Sequence, residues 1–586
     1  MPDTKQEVLD MLRELAELTV LDDGDPQSFR VRAYESAAQA IAAQATDLGK
    51  LTVQELQRIQ GIGKSTASKI RELLEAGRVE KLEELRQRHP STVVALLRVP
   101  GLGAKSVNKL RAELGVQSID ELRQALADKR LRGLKGFGGK SEEKLAQALV
   151  RLEEQGPLDR TPISVALPLA ERITARLLEL PGVSHASFCG SLRRFAETVG
   201  DIDVVVAAAS AEPVMEALVA MSFVERVLVR GEAKTSVVTR RGTQIDVRVV
   251  AAHQLGAARL YFTGSKGHNI KLRQRALARG WTLNEYALSE IESGKVIACE
   301  TEEAIYAALG LAWVPPVLRE DAGEIEAAEQ GALPRPIQHV HGDFHVHTSL
   351  SGDGRSTLEE MVMAAKTRGY RALAITDHAE GTLSGVTREA LVEQRTRVEA
   401  LQRELGDAMT LLHGVELNID ADGGLDYDFE FRRGFGFCLA SVHDHFDLDR
   451  TSQTNRVINA MRDPTVRMIG HLSARMIGAR AAIDLDLDAV VRAAEQTGTA
   501  LEINGGLPRL DMSVEAVRRA AAQSKDVVFV LTSDAHHDTE LERVRYAALN
   551  AERAWLDPDR IANAGTADRL LGWMTRKTAP QNAPER

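Results

Sequence analysis

Cysteine is nearly absent. The chain has three in 586 residues, Cys189, Cys299 and Cys438, and they are widely spaced. That excludes a disulfide framework and a thiolate zinc site. Aromatic residues are scarce at 4%, which argues against large base-stacking platforms. No run of 18 apolar residues occurs, so a transmembrane helix is excluded. The opening segment MPDTKQEVLDMLREL alternates charged and apolar residues and has no apolar signal core. A cytoplasmic location is the expectation.

A single hydrophobic core is excluded by length, because cores stop growing near ~250–300 residues. Two or more domains are expected. Net charge is −10, unevenly spread. Residues 1–318 hold 43 Lys+Arg and 41 Asp+Glu, whereas residues 319–586 hold 31 and 43. Eleven of the 15 histidines lie between His339 and His537. An acidic, histidine-rich half points to bound cations. The clearest break runs from Pro315-Pro316 to Pro334-Arg-Pro336, around an acidic, glycine-punctuated stretch that reads as a connector.

Before the break, residues 1–155 show helical spacing, as in EVLDMLRELAEL and RAYESAAQAIAAQA. They contain a repeat: IQGIGKSTASKI (59–70), VPGLGAKSVNKL (99–110) and LKGFGGKSEEKL (134–145). Each places glycines around one apolar anchor: Gly61/Gly63, Gly101/Gly103 and Gly136/Gly138. A lysine follows eight residues after the first glycine, at Lys69, Lys109 and Lys144. Such a turn lets backbone amides approach an anion and opens a second helix toward it. It binds phosphate without reading bases. The pattern resembles the helix-hairpin-helix motif of DNA-binding proteins.

The segment FCGSLRRFAETVGDIDVVVAAA (188–209) carries the first chemical signal. Gly190-Ser191 opens a short helix, and Gly200 leads into Asp201-x-Asp203 at the start of an apolar strand. Strand alternation puts both carboxylates on one face, about 7 Å apart. A third acid, Asp246, lies in another strand-like run, TQIDVRVV. If those strands are neighbours, three carboxylates converge, a donor set suited to Mg²⁺ or Mn²⁺.

Downstream of the break, apolar runs end in His, Asp or Glu: His345-x-His347, then Asp353 in a loop, His378, Glu416, His443, His471 and Asp534-x-His536. ALEING (500–505) reads as a seventh strand. A parallel barrel keeps its chemistry at such strand ends. Imidazole with carboxylate suits Zn²⁺, Mn²⁺ or Fe²⁺.

Together G-S-x-R-R…G-D-x-D and YFTGSKGHNIKLRQRALARGWTLNEYAL (261–288) resemble the palm and thumb of family X DNA polymerases, the DNA polymerase beta kind. The resemblance implies that Asp201 and Asp203 hold both palm metals and that Asp246 completes the catalytic-metal site. It makes Ser191 and Arg194 phosphate contacts, with Arg193 a further candidate. It assigns Tyr261, Phe262 and Gly264 to sugar discrimination, Asn269 to the nucleotide and Arg273 to the template strand. Lys266 and Gln244 depart from the family pattern, leaving base-side contacts and control of Asp246 open. FRVRAYESAAQAIAA (29–43) looks like a deoxyribose-phosphate lyase domain, with Lys69 at the Schiff-base position and Tyr34 and Arg30 supporting it. Lys69 is equally explained as a hairpin phosphate contact.

The nine downstream residues resemble the site of the PHP (polymerase and histidinol phosphatase) domain. That domain is a distorted seven-stranded α/β barrel with three metal ions and phosphoesterase chemistry. The expected fold is therefore multidomain. Residues 1–90 form a helical lyase-like domain with the first helix-hairpin-helix, and 91–160 a fingers-like region with two more. Residues 161–255 form an α+β nucleotidyltransferase palm, 256–315 a thumb, 316–338 a linker and 339–586 the PHP barrel. The expected substrates are gapped or nicked DNA and dNTP, with base-excision repair proteins as further partners, no membrane, and a monomeric state. An untemplated nucleotidyltransferase, or a polymerase whose barrel is only a structural scaffold, remains the alternative.

Overall fold

Helices dominate the N-terminal region because apolar residues recur every three or four positions and side chains cap the helix starts. Val8, Leu12 and Leu15 of Thr4–Asp23 pack with Val31, Ala37 and Ile41 of Phe29–Ala42. Thr52 and Glu55 form a reciprocal capping box, and Ser118 caps Ile119–Ala127. A second core gathers Val93, Leu102, Val107, Leu110 and Leu122. The computed structural model describes residues 4–25, 28–42, 48, 51–59, 61–99, 102–134, 137, 142, 145–146, 149, 160–382 and 384–575.

The chain divides into two compact units. The first comprises Met1–Thr161, Ala170–Ser187 and Gly200–Val250. Besides the helices it holds a five-stranded sheet, in the order Val183–Phe188, Asp201–Ala208, Gln244–Val250, Lys234–Thr239, Val224–Arg230. Asp201–Ala208 and Gln244–Val250 run parallel, and the following neighbours are antiparallel. Their β-branched residues bury Ile202, Val204, Val206, Ile245 and Val247.

The second unit comprises Pro162–Leu169, Phe188–Val199 and Ala251–Arg586. Its first part has helices Leu255–Thr263 and Lys266–Leu277, a three-stranded antiparallel sheet and helix Glu302–Ala308. The stretch expected as a linker is partly helical and packed. It forms a 3₁₀ turn, Pro316–Leu318, and a helix, Glu324–Gln330. Arg319 is wholly buried against Glu302, at 2.8 and 3.2 Å. Glu324 is buried too and meets His268 Nδ1 at 2.7 Å. Its acidic composition reflects internal ion pairs rather than a solvated connector.

The rest is a seven-stranded parallel sheet in sequential order: Gly342–Asp343, Ala372–Ile375, Thr410–Asn418, Phe437–Ser441, Val466–Ile469, Ala500–Asn504 and Phe529–Thr532. A parallel bridge between Val346 and Ala535 links its two ends, so the sheet is a nearly closed barrel. Crossover helices such as Leu358–Thr367, Arg388–Leu405 and Leu487–Thr497 cover it. Buried apolar residues fill the space between helices and strands. Among the described residues, no helix is long and apolar enough to cross a membrane.

Candidate metal centres and nucleotide loop

The acid triad converges because two parallel strands are in register. Asp203 lies directly opposite Asp246, and Asp201 opposite Gln244. Alternation puts Asp201 and Asp203 on the same face. Oxygens of Asp201, Asp203 and Asp246 fall within 4.8 Å of one another. Burial and the charges of Asp201 and Asp246 push Asp203 up to about 7. Asp201 is raised by burial and by Asp246. Asp246 goes the other way: burial opposes it, but Lys234, Gln244 and Ser236 hold it below the ordinary carboxylate range. Lys234 Nζ lies 2.6 Å from Asp246 Oδ2, and Gln244 Nε2 donates to Oδ1 at 3.0 Å. Three crowded carboxylates whose negative charges disfavour one another's ionisation suit a divalent cation, which neutralises them.

The loop Phe188–Val199 belongs to the second unit. Ser191 sits in a one-turn helix, Gly190–Arg193, whose opening glycine has φ +62°. Arg194 donates to the Thr263 carbonyl at 2.6 Å and to Glu320 at 3.1 Å. Arg193, expected near phosphate, instead grips Glu302 bidentately at 2.7 and 2.8 Å and donates to Thr263 Oγ1 at 2.7 Å. Both its terminal nitrogens thus tie the loop to helices Leu255–Thr263 and Glu302–Ala308. Tyr261 and Phe262 lie in the helix that ends before Gly264, which has φ +69°. Asn269 donates to the Tyr261 carbonyl at 2.8 Å, and the Arg273 guanidinium sits 5.1 Å from the Tyr261 ring centre. Lys266 opens the next helix.

All nine expected barrel residues form one connected cluster, with Glu416 at its centre. Its oxygens lie 3.3 Å from His345 Nε2, 3.5 Å from His347 Nε2 and 2.8 Å from His378 Nδ1. They lie 3.2 Å from His443 Nε2 and 3.1 Å from His471 Nε2. Asp534 Oδ1 is 3.5 Å from His345 Nε2 and 3.6 Å from His347 Nε2. Asp353 Oδ2 is 3.4 Å from His378 Nε2 and 3.5 Å from His536 Nε2.

Several of these atoms are buried without a hydrogen bond: His345 Nε2, both ring nitrogens of His347 and His443, His378 Nδ1, His471 Nδ1 and both oxygens of Glu416. Unpaired buried acceptors are costly, and divalent cations would satisfy them. The donor set therefore fits metal ions. Burial would raise Glu416, but His345, His443 and His378 hold it well below the ordinary range. Burial would lower His378, but Glu416 and Asp353 raise it to about 10. Burial and the neighbouring His536 and His378 push His347 well down. His471 and Asp534 adopt left-handed backbone, with φ +23° and +54°. Such strain concentrates at functional positions.

The hairpin residues divide. Gly61 has φ +93°, and a Cβ there would meet the Ser36 carbonyl at 3.2 Å. Gly63 and Gly103 precede helices Lys64–Ala76 and Ala104–Leu114 with no side-chain cap, leaving their first amides open. Gly101, Gly136, Gly138 and Lys144 lie outside the described residues. Lys69 Nζ lies 5.9 Å from the Tyr34 ring centre and donates to Ser65 Oγ at 2.7 Å; burial lowers it. Arg30 pairs with Asp22 and Asp23 instead.

Four residues escaped sequence reasoning. Glu502, in the seventh-strand candidate, is buried and accepts from His345 Nδ1 at 2.6 Å, Thr532 Oγ1 at 2.6 Å and the His471 amide. Asp377 accepts from Thr348, Ser351 and Gln394 beside His378. Arg509 Nε lies 3.4 Å from Asp534. Lys234 is the fourth. Only the position of Asp377, next to His378, offered a signal.

Family models match along the chain: a helix-hairpin-helix domain at residues 3–79, a SAM-like helix-hairpin-helix tandem at 93–151, a DNA polymerase beta thumb at 258–320 and a PHP domain at 343–505. Rat (Rattus norvegicus) DNA polymerase lambda is 26% identical over 298 residues, covering 46% of this chain and 48% of that protein. A probable phosphatase of Acetivibrio thermocellus is 35% identical over 165 residues, covering 28% of this chain and 64% of that protein. Fold and site define a DNA polymerase of the X type with a C-terminal PHP barrel. DNA polymerase/3'-5' exonuclease PolX of Bacillus subtilis (strain 168) is 34% identical over 576 residues, 98% of this chain and 99% of that one, and the chain belongs to this bacterial PolX family.

Proposed function

We propose that the chain is a cytoplasmic, monomeric DNA-directed DNA polymerase that fills short gaps in DNA repair, and that its barrel is a metal-dependent 3'–5' exonuclease that cleans 3' ends. The observation that carries the first half is the register of Asp203 with Asp246, which gathers three carboxylates. The second half rests on the nine-residue donor cluster centred on Glu416. The relative's name, DNA polymerase/3'-5' exonuclease, supports the pairing of activities.

In this reading Asp201, Asp203 and Asp246 hold Mg²⁺ or Mn²⁺, which would supply charge stabilisation for nucleotidyl transfer to a 3'-hydroxyl. Ser191 and Arg194 bind the dNTP triphosphate. Tyr261, Phe262 and Gly264 shape the sugar site, Asn269 fixes the Tyr261 backbone, and Arg273 faces the template strand. The hairpins at Gly61/Gly63, Gly101/Gly103 and Gly136/Gly138 take DNA phosphates.

In the barrel, His345, His347, Asp353, His378, Glu416, His443, His471, Asp534 and His536 hold three Mn²⁺, Zn²⁺ or Fe²⁺ ions, which would supply Lewis acidity at phosphorus. Glu502 orients His345 through Nδ1. Abasic-site cleavage is a second use of the same chemistry. Lys69, partly desolvated beside Tyr34, serves as the lyase amine. The parts divide at 1–90, 91–160, 161–255, 256–315, 316–338 and 339–586, with residues 316–330 fixed on the thumb.

A gapped-duplex assay with Mg²⁺ or Mn²⁺ tests this. Asp201→Ala abolishes primer extension and keeps nuclease activity, and His345→Ala does the reverse. If one substitution removes both activities with the fold intact, the two-site reading fails. Extension of bare single strand as efficiently as gapped duplex would favour an untemplated transferase.

A further inference from the structure

We propose that the barrel also serves polymerisation: Arg475 and Arg553 are positioning residues that hold the nucleotide loop Phe188–Val199 in its working shape. The inference rests on the reading of Ser191 and Arg194 as triphosphate contacts. It gives barrel residues a part in a reaction whose metals they do not bind.

Three contacts carry it, all within the second unit. Arg475, just past His471, grips Glu197 bidentately at 2.8 and 3.0 Å. Its Nε donates to the Arg509 carbonyl at 2.8 Å, and Nη2 also meets the Leu510 carbonyl. One guanidinium therefore fastens the loop to the peptide that carries Arg509. The pair is mostly buried, with Arg475 12% and Glu197 28% exposed, so it is weakly screened and directional.

Phe195 supplies the second contact. It is a non-glycine residue at φ +59°, a conformation that persists only where surroundings enforce it. Its ring stacks on Tyr546 of helix Val544–Arg553, with centroids 5.7 Å apart and planes 19° from parallel. Phe195 is 3% exposed.

Glu320 is the third contact. It accepts from Arg194 Nε at 3.1 Å and from Arg553 Nη2 at 3.0 Å. Arg553 draws on the same carboxylate oxygen that Arg194 uses. Without Arg553 the carboxylate would face Arg194 alone and compete harder with a triphosphate for that guanidinium.

The three contacts fall at Arg194, Phe195 and Glu197, directly after Ser191. A barrel that merely steadied the molecule would have no need to converge on this loop. The loop's shape should set dNTP affinity, while metal-assisted transfer at saturating dNTP is left to the acid triad.

The test is steady-state gap filling by the full-length protein, with KM for dNTP and kcat measured separately. The variants are Glu197→Ala, Arg475→Ala, their double and Arg553→Ala, with Glu197→Gln as the conservative control. Each single alanine change is expected to raise KM roughly tenfold with kcat within about twofold, the scale of one charged hydrogen-bonded pair. The double is expected to be no worse than the worse single, as for residues that act as a pair. Glu197→Ala should leave the nuclease rate unchanged. Unchanged KM in the single variants, or effects that simply add, would overturn the proposal. A shift in melting temperature without a shift in KM would also overturn it. Failure of the wild type to extend a gapped primer would instead overturn the polymerase reading, so the two failures are distinguishable.

Discussion

Lys234 lies 2.6 Å from Asp246, the carboxylate that completes the acid triad. It comes from the antiparallel neighbour strand, where Ser236 stands opposite Asp246 and Lys234 one alternation further along the same face. Gln244 holds the other oxygen. Asp246 is thus fixed from both sides in a cluster whose members repel one another.

Lys234→Ala leaves Asp246 held by the neutral side chains of Gln244 and Ser236. Gap filling is expected to fall roughly tenfold, the cost of one charge-assisted contact, and Lys234→Arg to restore most of it. Unchanged rates in the alanine variant would mean that the contact does not order the carboxylate. Primer extension under single-turnover conditions reads the difference.

Asp203 makes the triad sensitive to pH. Burial and two neighbouring carboxylates raise it to about 7. Below that value the free site carries a proton that a divalent ion must displace, so cation affinity falls as pH drops through about 7 and levels off above it. One displaced proton corresponds to roughly tenfold per pH unit. Mg²⁺ half-saturation of primer extension should therefore be about tenfold weaker near pH 6 than near pH 8. A half-saturation point independent of pH would contradict this.

Glu502 is the residue the barrel needs and the sequence hides. Its carboxylate receives His345 Nδ1 at 2.6 Å and the His471 amide, so it fixes two of the nine donors. Glu502→Gln keeps the shape and removes the charge. Metal affinity at the barrel should fall about 10–100-fold, as for other partners of ligating histidines. Competition with a chelator measures it; undiminished retention would assign Glu502 to packing alone.

Glu302 should dominate the acid stability of the thumb. It sits between Arg193 and the fully buried Arg319. Burial opposes its ionisation, but the two guanidinium groups hold it well below its ordinary value of 4.5. A depressed carboxylate stabilises the fold fully above that ordinary value, and the contribution is lost as pH falls below it. Glu302→Gln should cost about 3 kcal/mol near pH 7, because Arg319 is left buried and unpaired. The gap to wild type should narrow in acid. Urea unfolding at several pH values checks both, and a constant gap would contradict the assignment.

Much of this was legible in the chain. Strand alternation puts Asp201 and Asp203 on one face; Asp246 lies in another strand-like run, and only the parallel pairing of the two strands supplies the convergence. The barrel donors stood out because each follows an apolar run. Glu502 did not, since an acid in the middle of ALEIN differs from a solvent-facing one only through its register against His345. Lys234 stands at a strand start, where a charge is ordinary. Arg193 resembled a phosphate contact, and its partner Glu302 lies 109 residues away in sequence. The stretch after Pro316 reads as a connector by composition, which cannot show that Arg319 and Glu324 are buried. One cause is common to these residues: long-range pairing of charges leaves no local pattern.

The central claim is that acids in one unit and imidazoles in the other gather separate sets of divalent ions. Elemental analysis of freshly purified wild type, Asp201→Ala and His345→Ala measures it directly. Tightly held transition ions are expected in the wild type and in Asp201→Ala, and a marked loss in His345→Ala. Wild-type protein that holds no such ion, and takes up none on dialysis against Mn²⁺ or Zn²⁺, would contradict the account.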